Sequence, residues 1–455
     1  MPRRARIAAL LLAAACGSGD PLLPAPGRHV IVISIDTLRA DHLGCYGYGR
    51  PTSPHLDALA RESVLFERAY SNSNSTAPAH MTLMTGVLPP VHGVRHREAR
   101  GPSGSLPLLA ELFGRAGYAT TAFADGGFVT AAFGFARGFE RFESRLQRFD
   151  EKVDEVVAWL PDRPERPQLL FVHTYGVHAP YLPLPEHDRF TDPAYDGPLA
   201  GRVRELNALA SDGSRAADLE QLMDVFWEKR GRFDERDVAQ LVDLYDGCIH
   251  EVDAGLGRLL DALRERGWLE DAWLVVLADH GEAFREHGTF EHRQLHQEEL
   301  HVPLIVRPPG GLESPVRVAD VVSLVDVAPT LLALAGLEPP PALQGAALLP
   351  LRAPGDRPVH ATSNDDERMR ALIAGSGKLI VRRGGERQHF DLAADPGERV
   401  DLGAGGAGPD VGLEELFSRL EAECEALRAR VGEPSEPVPL EAQQEEDLRA
   451  LGYVR

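Results

Sequence analysis

Acidic and imidazole side chains gather in a few short stretches of this chain, and three of those stretches directly follow apolar runs. Asp36 follows Val30-Ile31-Val32-Ile33-Ser34-Ile35, His173 closes Leu169-Leu170-Phe171-Val172, with His178 five residues on, and Asp279-His280 follow Trp273-Leu274-Val275-Val276-Leu277-Ala278. Adjacent Asp and His with Gly281 next offer an oxygen and a nitrogen ligand without bulk to hinder an approaching ion. Glu286, His287, Glu291, His292 and His296 extend that supply. A fourth stretch brings a hydroxyl. From Ser71 to Gly86 a small-polar run leads through Thr76 to Pro78 and His80, the pattern of a loop feeding a helix with Pro in its first turn and Gly at its end. Thr76 is then expected just before the helix N-terminus, where free N–H groups and the helix dipole favour an anion. A hydroxyl held there can meet a phosphate or sulfate ester. Taken singly, each stretch has a blander reading: a Ser/Thr-rich cap, an Asp capping a turn, a hydrogen-bonded core histidine.

The chemistry therefore depends on the elements that carry these residues. The apolar runs have the composition of strands buried on both faces, and a carboxylate at the carboxyl end of such a strand lies where open α/β sheets bind ligands. If residues 30–35, 169–173 and 273–278 lie parallel in one sheet, Asp36, His173 and Asp279-His280 share one edge. Residues 52–62 and 105–116 predict amphipathic helices. Residues 239–266 predict a long covering helix in which His250 is structural. Residues 302–307 read as a further short strand, and 321–332 lead into a helix. Beyond a Pro-rich boundary, Arg370–Ala374 and Lys378–Arg382 with a Gly384-Gly385 turn predict an antiparallel hairpin. Helices are expected over 411–431 and 441–451.

Forty-eight Lys and Arg against 69 Asp and Glu leave a net charge of −21, which argues against nucleic acid as a partner. An anionic substrate must then be held by local positive charge, which points to metal ions. At the N-terminus Arg3, Arg4 and Arg6 precede the apolar Ile7–Ala15 and Cys16, a targeting segment too short to span a membrane. Ala13-Ala14-Ala15-Cys16 resembles a lipobox, so the expectation is an exported protein. It is either a cell-envelope lipoprotein anchored to the membrane through Cys16, or a periplasmic protein cleaved after Ala15. Cys45, Cys248 and Cys424 are an odd, widely spaced set, read as buried or incidental thiols and not as a disulfide framework.

With these residues in hand, the chain resembles the sulfatase-like branch of the alkaline phosphatase superfamily. The resemblance runs through Ile33–Gly47, Thr76–Gly86, Ala278–Glu282, Val302–Arg307, Asp326–Leu332 and Phe390–Leu402, the last with Asp395-Pro396-Gly397-Glu398. It implies an α/β fold, a mostly parallel central sheet between helix layers, followed by a small C-terminal antiparallel sheet subdomain. The expected organisation is a signal or lipobox over 1–16, a linker over 17–28 and a catalytic domain over 29–350 with a charged insertion at 186–238. A small α+β subdomain over 351–410 and a helical tail over 411–455 follow. The resemblance further implies a metal held by Asp36, Asp279 and His280, a nucleophile at Thr76, His178 facing the ester oxygens, and His292 where sulfatases carry a lysine.

The departures bear on the chemistry. Sulfatases place Cys or Ser at the position of Thr76, convert it to formylglycine, and follow it with Pro and Arg. Here Thr76 cannot give that aldehyde, because its β-carbon carries a methyl, and His80 stands for the Arg. Thr37 replaces a second metal-binding Asp, and Thr120–Gly127 replaces a Lys-Trp-His stretch. What remains is similar to the threonine-nucleophile phosphodiesterases and phosphotransferases of the superfamily. The expected function is thus a metal-dependent hydrolase or transferase acting on phosphate or sulfate esters through Thr76, with phosphoesters preferred. Asp36, Thr76, Asp279 and His280 would hold one divalent ion (Ca, Mn, Zn or Mg), with room for a second, and His80, His178 and His292 would donate to the transferred group. Glycan or lipid-headgroup esters are the candidate substrates. Two alternatives stand beside this reading: a sulfatase that works without formylglycine, and a non-catalytic lipid-anchored protein that binds metal or glycan.

Overall fold

The first apolar run forms β1 (His29–Ile35), every residue of which is buried. A strand so covered must lie inside a sheet that is covered on both faces. In the computed structural model, which describes residues 28–96, 98–162, 164–200, 232–349, 357–363, 369–404 and 410–453, β1 is that central strand. The targeting segment with Cys16, nearly all of the linker and most of the charged insertion lie outside the described residues. The other strands of the sheet are β2 (Val64–Tyr70), β3 (Ala119–Ala124), β4 (Arg141–Ser144), β5 (Gln168–Thr174) and β6 (Ala272–Leu277). Two short strands, β7 (Ala283–Phe284) and β8 (Phe290–Glu291), pair with each other, while β9 (His301–Val302), β10 (Leu304–Arg307) and β11 (Val316–Ser323) return to the main sheet. Its order is β11-β2-β10-β6-β1-β5-β3-β4, with β9 on β2. β1 runs parallel to β5 and β6, and β3 runs parallel to β4 and β5; β10 is antiparallel to both its neighbours. The run expected as one strand over 302–307 is divided because Pro303 has no N–H to give a ladder.

Helices fall into two contacting groups. One joins Pro54–Ala60, Phe149–Trp159 and Glu235–Glu265, and the other joins Thr76–Thr85, Pro89–His92, Leu109–Arg115 and Val327–Leu334. The long helix starts before residue 239 because Asp234 caps it, accepting from the N–H groups of Arg236 and Asp237. It also caps a neighbour: Asp253 accepts from His55 N at 2.9 Å and Leu56 N at 2.8 Å, which fixes the start of the shorter Pro54–Ala60 helix. Likewise Leu109–Arg115 begins later than residue 105, since Leu108, next to Pro107, is extended. His250 bonds His187 at 2.8 Å. Cys45, Cys248 and Cys424 are free thiols. No described helix is long and apolar enough to cross a membrane.

The second, four-stranded sheet is wholly antiparallel: β12 (Val359–Thr362), β13 (Met369–Ala374), β14 (Gly377–Arg382) and β15 (Arg387–Asp391). The expected 370–382 hairpin is present and turns at Gly375-Ser376, while Gly384-Gly385 makes the next one. Two joints dock this sheet on the first. Thr362 N donates to Asn72 O at 3.0 Å, and the Asn72 amide donates to His360 O at 2.9 Å. Glu398, buried, takes Lys378 Nζ at 2.6 Å, His296 Nδ1 at 2.9 Å and Gln297 N at 2.8 Å.

His92 gives the fold an acid limit of its own. Its Nδ1 accepts from Val94 N at 3.1 Å and its Nε2 meets Thr82 Oγ1 at 3.2 Å, and burial lowers its pKa to about 3. Between the unfolded value of about 6.5 and that folded value the unfolded chain binds the extra proton, so stability falls as pH falls. His92 alone should cost about 2 kcal/mol between pH 6.5 and 5. In denaturant unfolding, His92→Gln should lose stability at pH 7 and show a smaller further loss at pH 5; an equal pH slope in both proteins would refute the assignment.

Candidate active site

Because β1 lies between β5 and β6 in register, Ser34 pairs with both His173 and Leu277. The residues that follow therefore emerge together at the carboxyl edge. Asp36 N donates to Thr174 O at 2.9 Å, holding the carboxylate at the strand end. Ligand atoms of Asp36, Asp279 and His280 lie within 4.8 Å of one another, and all three residues are buried. The backbone there is strained: Thr37, β-branched, has φ +55°. Tyr245 of the long helix restrains it, donating from Oη to Thr37 O at 2.7 Å while accepting from Arg39 N at 2.9 Å. Arg39 in turn bridges Asp41, Glu286 and the Glu282 carbonyl, tying the loop after β1 to the loop after β6.

Thr76 comes to this edge from the other helix group. The loop Ser71–Ser75 is buried and stitched by its own side chains, Ser71 Oγ donating to Ser73 O at 2.6 Å. Asn74 anchors it by donating to His292 O at 3.1 Å, Gln294 O at 2.7 Å and Glu299 Oε2 at 2.9 Å. The helix Thr76–Thr85 follows and closes at Gly86, φ +66°. Thr76 is its first residue and Ser75 the N-cap, one position from the expected boundary. Its hydroxyl is fully buried without a hydrogen-bond partner, beside Asp36 and Tyr175. His80 does not face outward as a donor. Its Nε2 meets Ser34 Oγ at 2.9 Å and its Nδ1 meets Thr76 O at 2.9 Å, with Asp279 at 3.4 Å, so it sits beneath the first turn as a strut.

His178 and His292 do come together, with ring centroids 5.5 Å apart, and His292 packs on His280 at 4.5 Å. His178 Nδ1 donates to Ala179 O at 2.7 Å, which leaves Nε2 without a proton in the neutral ring. His292 Nδ1 meets Glu282 Oε1 at 3.2 Å. Between the two rings stands a residue that periodicity could not reveal. Tyr453 Oη is 2.9 Å from His178 Nε2 and 2.7 Å from His292 Nε2. Gly452 after an amphipathic run is the one local signal: it takes φ +84° and ends the helix Ala442–Ala450, with Tyr453 N donating to Leu448 O at 2.9 Å. Where the Lys-Trp-His stretch is missing, Asp125 accepts from Tyr175 N at 2.7 Å and pairs with buried Lys152 at 2.9 Å, backing the edge that carries His173. A pocket of about 120 Å³, lined in part by Asn74, Glu291, His292, Arg293 and Tyr453, opens beside the histidines.

The electrostatics of the edge call for a cation. Burial first, and then the nearby Asp279 charge, push the Asp36 carboxyl well above its usual range. Burial works against ionising Asp279 too, but His280 and His80 hold it well below that range. Burial, followed by His292, lowers His178 to about 4, and burial also lowers His292. Both oxygens of Asp36, both of Asp279, His280 Nε2 and Thr76 Oγ1 are buried and lack hydrogen-bond partners. His280 Nδ1 donates to Gly281 O at 2.9 Å, so its Nε2 presents a lone pair where no protein donor meets it. Two like charges and four such groups facing one point fit a divalent ion. The other grouping of metal-type ligands among the described residues, His287, His296 and Glu398, does not. The two rings stack at 3.7 Å and 7°, and Lys378 already neutralises the carboxylate.

Comparison with known proteins agrees with this arrangement. The family model described as Sulfatase matches residues 28–337. Arylsulfatase K of Bos taurus is 31% identical over 191 residues, 38% of this chain, and the match spans about a third of that relative's length (35%). The fold is shared with a protein solved in complex with its substrate D-glucosamine-2-N,6-O-disulfate. That comparison gives a TM-score of 0.71 at 19% identity and covers 89% of this chain and 98% of the other. It is shared also with the phosphonate monoester hydrolase of Agrobacterium radiobacter, at TM-score 0.67 and 21% identity, covering 90% of this chain and all (100%) of the other. That model spans more than half of the chain: this chain belongs to the sulfatase family, within the alkaline phosphatase superfamily.

Proposed function

We propose that the protein is a metal-dependent ester hydrolase that transfers a monoanionic phosphoryl, phosphonyl or sulfuryl group to Thr76 and then to water. The observation that carries this reading is the Thr76 hydroxyl: buried, unpartnered, in the first turn of a helix, and beside the unpartnered Asp36, Asp279 and His280. Asp36, Asp279, His280 and Thr76 would hold the ion, which when bound favours the ionised hydroxyl and offsets the charge of the transferred group. The Thr76 oxygen bonds to the central atom and the bond to the leaving oxygen breaks. His292 donates its Nε2 proton to that oxygen while Glu282, whose carboxyl burial holds above its usual range, passes its proton to His292 Nδ1, so the ring stays neutral. Water then attacks the Thr76 ester, gives its proton to the bare His178 Nε2, and releases Thr76. His80 supports the first turn from below and does not touch substrate.

The donor at the ester is the His292 imidazole where sulfatases carry lysine, and a neutral donor suits a single negative charge better than two. Phosphodiesters, phosphonate monoesters and sulfate monoesters all meet that condition, and the relatives solved with a sulfated glucosamine and as a phosphonate monoester hydrolase fall within it. We rank phosphoesters ahead of sulfate esters, because Thr76 cannot become formylglycine. Export, and a lipid on Cys16, follow from residues 1–16 and belong to this proposal.

The test is a panel of p-nitrophenyl esters: bis-phosphate, phenylphosphonate, sulfate and phosphate monoester, each with and without chelator. The monoanions should turn over faster than the dianionic phosphate monoester, and chelator should abolish every activity. Metal-independent turnover would sink the reading, and sulfate ahead of both phosphorus monoanions would move it to the sulfatase alternative. With the corresponding alkyl esters added to the panel, His292→Ala should slow those by about 10²–10⁴-fold, the usual worth of a general acid, and the p-nitrophenyl esters far less. Bound metal per chain should stay unchanged; a fall would make His292 a ligand.

A further inference from the structure

Tyr453 leaves the two histidines no nitrogen with which to meet an ester. His178 uses Nδ1 on Ala179 O and Nε2 on Tyr453; His292 uses Nδ1 on Glu282 and Nε2 on Tyr453. The proton count is fixed by Ala179 O, which can only accept. His178 Nδ1 must carry a hydrogen, its neutral Nε2 accepts, and the phenol proton therefore points to His178. Having given its one proton there, Tyr453 Oη can only accept from His292 Nε2–H, and the bare Nδ1 of the neutral His292 ring then accepts from a protonated Glu282, whose carboxyl burial holds above its usual range. The hydroxyl has no hydrogen left for a substrate oxygen, so it cannot serve as an extra donor while it stands here.

We propose that Tyr453 is an intramolecular occupant of the leaving-group position, a phenol lodged where the alcohol of the ester must bind, and that it sets substrate affinity by competing for His178 and His292. This rests on the function proposed above. The occupant is held by a built-in mount. Gly452 in the left-handed region turns the chain after Ala442–Ala450, Leu451 is buried beside Gly127, and the Tyr453 ring packs on Phe128 at 4.6 Å. The ring also borders the 120 Å³ pocket that His292 lines, so swinging it out joins that pocket to His178 as well. An ester whose leaving oxygen accepts from His292 Nε2–H, whose own hydroxyl donates to His178 Nε2 and which fills the place of the ring displaces it readily; a small alkyl ester does so poorly. Tyr453 is in this sense a specificity-determining residue and not a catalytic one.

The test compares metal-loaded wild type, Tyr453→Phe and Tyr453→Ala. Tyr453→Phe keeps the ring and loses both hydrogen bonds, so KM for p-nitrophenyl and small alkyl esters should fall about tenfold at unchanged kcat. Tyr453→Ala should lower KM further and gain competitive inhibition by free phenol, which refills the place, at concentrations that leave wild type unaffected. Inorganic phosphate, titrated by calorimetry, should bind both variants more tightly than wild type, and that readout needs no turnover. Loss of kcat in Tyr453→Phe would overturn the proposal in favour of a substrate-contacting donor, and unchanged KM with unchanged phosphate affinity would reduce Tyr453 to packing. If Thr76→Ala keeps its activity, the proposed nucleophile fails, while the phosphate and phenol titrations still decide the role of Tyr453.

Discussion

Thr76→Ala should lose at least about 10⁴-fold in kcat against every ester the wild type hydrolyses, the scale seen when a covalent nucleophile is removed. The fold should be unaffected, and at saturating ion concentration Asp36, Asp279 and His280 should still hold the metal, with lower affinity for the loss of the Thr76 oxygen. The structure separates this from a helix-cap effect. Ser75 is the N-cap, Thr76 lies inside the first turn, and its hydroxyl makes no hydrogen bond that alanine would forfeit. A cap residue replaced by alanine costs about 1 kcal/mol of stability; here unfolding should shift by less than that. Thr76→Ser keeps the oxygen and should retain measurable turnover through the same covalent step. Rapid acid quench with a slowly hydrolysed ester should leave the transferred group on the peptide that contains Thr76. Activity in Thr76→Ala within a few-fold of wild type would end the proposal.

The second large effect belongs to Asp279. Asp279→Asn should reduce bound metal to near zero at ion concentrations that saturate wild type, with hydrolysis falling to the chelated level. Stability provides a check. Metal-loaded wild type should be more stable than stripped wild type by about 2.7 kcal/mol at a hundred-fold excess over Kd, and the variant should show no such gain. In the stripped protein the substitution removes the charge that pushes the Asp36 carboxyl up, so Asp36 should titrate closer to its usual range in Asp279→Asn than in wild type. Full metal occupancy in the variant would refute the ligand assignment, and an unmoved Asp36 titration would refute the electrostatic account of the pair.

Much of this edge was legible in the sequence, for a physical reason. A strand buried on both faces writes itself as a continuous apolar run, and the polar residue that ends it is marked by contrast. Asp36, His173 and Asp279-His280 were found in that way, and the parallel register of β1 with β5 and β6 brings them together. Thr76 was legible because loop, Pro and Gly punctuate its helix. His80 was placed in the site, but its outward role was not foreseeable either way. Sequence gives its position one turn after Thr76 and not the Ser34 hydroxyl that claims its ring. Tyr453 was invisible, since its role is a contact across 275 positions to His178 and 161 to His292, with no periodicity to announce it. The Glu398 joint lies between: its Asp-Pro-Gly-Glu sequence stood out, but only the fold shows that it clasps Lys378 and His296.

The crossing order of the main sheet also sets a timetable for synthesis. β1 finds its partners only in β5 and β6, and β2 closes against β11. At about 5–20 residues per second, roughly 12–50 s separate the making of β1 from that of β6. During that interval β1 is an apolar strand with no native neighbour on its β6 side, a surface prone to wrong pairing. The nascent chain therefore carries β1 without its β6 neighbour until residue 277 is available. Pulse-labelled chains arrested before that point should aggregate when released, and chains arrested after β11 should not.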